Sequence, residues 1–148
     1  MTTRRRKAKI ANSLVGIAGV HYVAYELSRR NIVVLPTTRN TAGYDIVAVS
    51  ANGKRNRNIQ VKAAQKRPSF WPMPSSSNIP HGPNDCFVLV RGIGRGPVDC
   101  FLVEGKEARR RTASARARRV STRHAAVGSP ITPVAPDQTA EITPAFSG

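Results

Sequence analysis

"GYDIVAVSANGKRNRNIQVK", residues 43–62, carries two alternating apolar runs on either side of an Asn-Gly pair. Alternate side chains of a strand share a face, so Asp45, Val47 and Val49 oppose Ile46 and Ala48. By the same rule Gln60 and Lys62 oppose Ile59 and Val61. Asn52-Gly53 marks a reversal, and the longer segment "ANGKRN" predicts fraying or a bulge. The expected hairpin brings Asp45, near its open end, beside Gln60 and Lys62.

Outward from this hairpin the elements fall into a short order. From about Ser13 to Arg30, Ile17, Val20, Val23, Ala24 and Leu27 recur at three and four, which predicts a one-sided helix. Ser13 is its candidate N-cap, and Arg29 and Arg30 suit its last turn. Gly16 and Gly19 weaken that helix unless close packing requires them. "NIVVLPT" reads as a strand ahead of the hairpin. "CFVLV" (86–90) and "VDCFLV" (98–103) read as two strands after it, joined by "RGIGRG". That glycine spacing has a faint phosphate-loop flavour, but no helix pattern follows, so a hairpin loop is expected.

Residues 67–84, rich in Pro, Ser and Asn, form a long loop of the kind that is often disordered or functional. Its Phe70 and Trp71 suit either stacking on bases or anchoring the loop to the body. Residues 104–123 hold eight basic and two acidic residues and read as a basic helix or arm. The organisation expected is a basic arm over 1–12, a domain over 13–123 and a disordered tail over 124–148. The fold class is α+β or α/β, a mixed sheet flanked by helices.

Of the 148 residues, 24 are Lys or Arg and 8 are Asp or Glu, a formal charge of +16. Such an excess attracts polyanions, DNA or RNA first and an anionic membrane surface second. Two cysteines, Cys86 and Cys100, are too few for a disulfide scaffold or a structural zinc site. They read as buried small hydrophobes. No apolar run reaches membrane-spanning length, and the N-terminal pattern reads as an arm before a helix, not as a signal peptide. A cytoplasmic location follows as an expectation, with nucleoid association if the polyanion is DNA.

The one-face cluster has a chemical use. A carboxylate (Asp45) and an amide oxygen (Gln60) are hard ligands suited to Mg²⁺ or Mn²⁺. An ammonium (Lys62) beside them balances phosphoryl charge or orients water. The structural alternative has Asp45 capping a turn, Gln60 bonding at a strand edge and Lys62 as a solvated edge charge.

"GYDIVAV…NIQVKAA", preceded by "GVHYVAYELSRRN" and followed by "NDCFVLV…VDCFLVEGKEAR", resembles the PD-(D/E)xK, or restriction-endonuclease-like, superfamily over roughly residues 13–110. The resemblance implies a restriction-endonuclease-like core and Mg²⁺-dependent cleavage of DNA. It puts the first acidic ligand on Asp45, the second on Gln60 and the lysine on Lys62. Glutamine departs from the usual acid and brings no negative charge. His21 stands where related sequences often have a helix glutamate. It is either a neutral ligand or proton acceptor, or a surface histidine.

The expected phosphate contacts are Arg4, Arg5, Arg6 and Lys7 in the arm, and Lys54, Arg55 and Arg57 around the hairpin. Lys66 and Arg67 follow, then Arg109, Arg110, Arg111, Arg116, Arg118 and Arg119 in the final helix. The expectation is an endodeoxyribonuclease acting on DNA. A symmetric homodimer is the simplest arrangement for cutting two strands. The alternatives are an inactive DNA-binding protein on the same fold, or a basic structural protein associated with RNA, the lesser expectation.

Overall fold

The computed structural model describes residues 9–38, 43–68 and 71–121, with side chains described as far as residue 115. The basic arm up to residue 8 and the tail beyond 121 lie outside the described residues. Helix α1 spans Asn12–Ser28 and buries Val15, Gly19, Val23 and Leu27 at a spacing of four. Ala11, not Ser13, occupies its N-cap, without a side-chain hydrogen bond. Arg29 and Arg30 lie just past its end, where both pair with Glu26. Gly19 has a packing reason. A Cβ there would stand 2.3 Å from the Cβ of Ala63, whereas one at Gly16 would meet nothing within 4 Å.

Five strands follow: β1 (Ile32–Pro36), β2 (Ile46–Ser50), β3 (Asn56–Ala64), β4 (Asp85–Arg91) and β5 (Asp99–Glu104). They form one sheet in the order β1-β2-β3-β4-β5. β3 and β4 run parallel and every other pair is antiparallel. The β2–β3 reversal falls at Asn52-Gly53, where Gly53 takes φ 71° and Asn52 Oδ1 accepts from Ser50 Oγ and Lys54 N. Helix α2 (Gly105–Ser121) closes the order. The result is an α+β fold with a mixed sheet between two unequal layers.

One face of the sheet meets α1. There Val15, Val23 and Leu27 pack on Ile32, Ile46, Ala48, Ile59, Cys86, Val88 and Val90. On the other face Phe87, Leu89 and Val103 meet Ala108 of α2 together with Trp71 and Ile79. β4 is buried on both sides, which explains its unbroken apolar run. Each large side chain buried here contributes roughly 1.5–3 kcal/mol relative to exposure.

A parallel β3–β4 pair needs a crossover of a dozen or more residues, usually a helix. Here the crossover is the 65–84 segment. Its prolines at 68, 72, 74, 80 and 83 preclude a helix, and among its described residues only a 3-10 turn forms, Ser76–Asn78. Trp71 and Ile79 tie the segment down, at 4% and 1% exposure. The Trp71 ring meets Phe101 edge-on at 5.9 Å. Of the two readings of Trp71, anchoring is the one realised; Phe70 lies outside the described residues.

Cys86 and Cys100 are free, and burial pushes both thiols up to about 12. They act as small hydrophobes. Among the described residues no helix is long and apolar enough to cross a membrane.

Candidate active site at the β2–β3 seam

Asp45 sits one residue before β2. Its amide donates to Ile59 O at 2.8 Å, and Ile59 is also the register partner of Ile46. Two residues on one strand thus face one on the other, a bulge-like start. The Asp45 carboxylate then fills the next place in the ladder, with Oδ2 accepting from Val61 N at 2.7 Å. Its carbonyl accepts from Thr37 N of the neighbouring strand. The expected alternation therefore fails at this residue. The carboxylate lies along the seam instead of standing off one face, because Val61 N–H otherwise lacks an acceptor.

Gln60 and Lys62 flank Val61. Ile59 is fully buried, and Val61 and Ala63 pack toward α1, so Gln60 and Lys62 project to the opposite face. Both are half-buried. Among the described residues neither side chain makes a hydrogen bond or an ion pair, and Lys62 forms no salt bridge with Asp45. The sheet thus brings Asp45, Gln60 and Lys62 to one stretch of one seam.

His21 is not brought there. It is exposed on α1, two residues from both Gly19 and Val23, which face the sheet. At 100° per residue it turns to the solvent side of the helix. The helix itself lies on the sheet face away from Gln60 and Lys62. The acid expected on this helix therefore has no histidine substitute at the seam.

The carboxylates separate clearly. Glu26, Asp99, Glu104 and Glu107 each hold arginines. Asp85 uses both oxygens, one on Asn58 Nδ2 and one on Gly82 N. Among the described residues only Asp45 has no cationic partner and also keeps an oxygen, Oδ1, without a hydrogen bond. No group of three or more His, Cys, Asp or Glu side chains that could hold a metal ion occurs among the described residues. Any cation at the seam must therefore draw on Gln60 and water.

The expected phosphate contacts divide as well. Arg57 pairs with Glu104 at 2.9 Å and Arg67 with Asp99 at 2.6 Å. Arg110 and Arg111 both hold Glu107, and these hydrogen bonds lower its carboxyl to about 2. Arg109 leans on the His81 ring. Lys54 and Lys66 are exposed; Arg55, also exposed, has a partner of its own. Arg116, Arg118 and Arg119 lie on α2 with side chains outside the described residues, as do Arg4, Arg5, Arg6 and Lys7 entirely. Spacing missed Lys9, Asn12 and Arg95, which the fold gathers around Trp71 from three separate segments; no local pattern signals them.

Comparison of the chain with protein-family models, curated proteins and solved structures returned no match of any kind.

Proposed function

We propose that the protein binds DNA and hydrolyses its phosphodiester bonds at the β2–β3 seam, as a metal-dependent endodeoxyribonuclease of the PD-(D/E)xK type. One observation carries this reading: the Asp45 carboxylate, with no cation of its own, lies on Val61 N–H between the unengaged Gln60 and Lys62. A helix, three antiparallel strands and a fourth strand parallel to the third support the likeness of architecture.

The donor set suits a hard cation in type, since Asp45 Oδ1 and the Gln60 side-chain oxygen have no partner among the described residues. These two residues would hold Mg²⁺, or Mn²⁺, completed by water. Such an ion supplies polarisation of the phosphoryl group and acidifies water. The chain's own part is electrostatic. The Lys62 ammonium, half-buried and without an anion among the described residues, meets the charge that develops on the phosphate. The Val61 N–H bond fixes the carboxylate beforehand, so its position costs no reorganisation. A single carboxylate predicts weak metal affinity, in the millimolar range of lightly charged sites.

Nicking of supercoiled plasmid in Mg²⁺, stopped by EDTA, is the expected activity, and Lys62→Ala should lower it by about 100-fold. Equal cutting by Lys62→Ala and the parent contradicts the assignment. A second reading, DNA binding without turnover, is favoured by the outward position of His21. Salt-dependent binding with no metal-dependent nicking would select it.

A further inference from the structure

Beyond the C-terminal end of β3 a cleft of about 740 Å³ opens between the first turn of α1 and the start of the crossover. Its polar lining is Lys9, Asn12, Gln65, Lys66, Trp71 and Arg95, with no acid among the described residues that line it. Lys9, Lys66 and Arg95 are exposed, and no ion pair holds them among the described residues. Three cations without counter-charges make the cleft positive.

Two independent features ask for the same ligand. The first turn of α1 has neither a side-chain cap nor an acidic residue, so its free N–H groups and positive dipole end remain unanswered. Trp71 lines the cleft, is 4% exposed, and its Nε1 has no hydrogen-bond partner among the described residues. A buried N–H without an acceptor is destabilising, and an acceptor from outside the chain removes that cost.

The geometry points to an oxyanion site in this cleft, filled by a backbone phosphate of the nucleic acid that crosses the seam. Lys66 follows Lys62 by four residues, at most about 14 Å of chain, so one strand can touch both. This assignment rests on the nucleic-acid reading of the seam.

Trp71 is the only tryptophan of the chain, so its indole N–H gives a single resonance. The ¹⁵N-labelled full chain would be titrated with inorganic phosphate and, separately, with a twelve-nucleotide single-stranded DNA. Both should shift the indole resonance to saturation. Lys66→Ala with Arg95→Ala should weaken the phosphate titration by roughly tenfold, with the thermal midpoint unchanged. A shift that the double variant leaves undiminished overturns the site. An indole resonance that stays put at saturating DNA, while the amides around Val61 move, also overturns it but spares the seam. A response to phosphate with no response anywhere to DNA keeps an oxyanion cleft, removes the nucleic acid from it and defeats the seam reading too.

Discussion

The start of α2 and the far end of β3 are both rich in cations, yet they differ in what those cations are doing. On α2, Glu107 occupies Arg110 and Arg111, and Arg109 rests against His81. At β3, Lys62 and Lys66 have no such partners among the described residues, and the nearby Asp45 is held by an amide instead of a cation. Net charge counts both regions alike. A phosphate can use the lysines of the second region without first displacing a carboxylate; among the described residues of α2 the same holds for Lys106 and Arg109 but not for Arg110 and Arg111.

The contrast can be broken most directly in DNA binding. Lys62→Ala with Lys66→Ala should weaken binding at moderate salt by about tenfold or more, measured by fluorescence anisotropy. The same double removal at Arg57 and Arg110 should cost much less. Equal losses would mean that pairing does not govern availability. The salt slope should also fall by about 2 for the lysine pair.

A second test concerns what holds α1 on β3. Gly19→Ala places a methyl 2.3 Å from Ala63 Cβ and should destabilise by about 1–3 kcal/mol in urea unfolding. Gly16→Ala, facing open space, should stabilise by about 0.5–1 kcal/mol.

The α2 arginines sharpen the comparison through pH. The hydrogen bonds from Arg110 and Arg111 lower Glu107 to about 2, against an ordinary 4.5. A depressed carboxyl lends stability above its unfolded pKa and loses it as pH falls toward the folded one. That contribution should fade between pH 4.5 and about 2, and Glu107→Gln should flatten the acid-unfolding curve there. The effect is small because the group is exposed to solvent screening. The same variant releases Arg110 from its carboxylate and should tighten DNA binding by less than about twofold.

Much of the fold was legible because its strands alternate or run continuously apolar, and both patterns follow from burial on one face or two. The crossover was less so. Its prolines announced the lack of a helix, but the burial of Trp71 and Ile79 depends on β4 and α2, which no local pattern connects to them. At the site, Gln60 and Lys62 obeyed alternation. Asp45 did not, since a bulge at the start of β2 turned its carboxylate into a ladder acceptor. His21 lay one layer away because α1 packs through Val15, Gly19, Val23 and Leu27, a phase rotated from the expected stripe of Ile17, Val20 and Ala24, since the apolar pattern gives no weight to a glycine at the contact. The pairing of Arg57 with Glu104 and Arg67 with Asp99 required the sheet order, so the free cations could not be separated from the occupied ones by inspection.

Asp45→Asn isolates the central claim. The amide keeps an oxygen to accept from Val61 N–H, so folding should survive, checked by an unfolding midpoint close to the parent's. It removes the one carboxylate that the described residues place at the seam, so Mg²⁺-dependent nicking should fall by about 100-fold. A folded Asp45→Asn protein that nicks plasmid at the parent's rate would contradict the account.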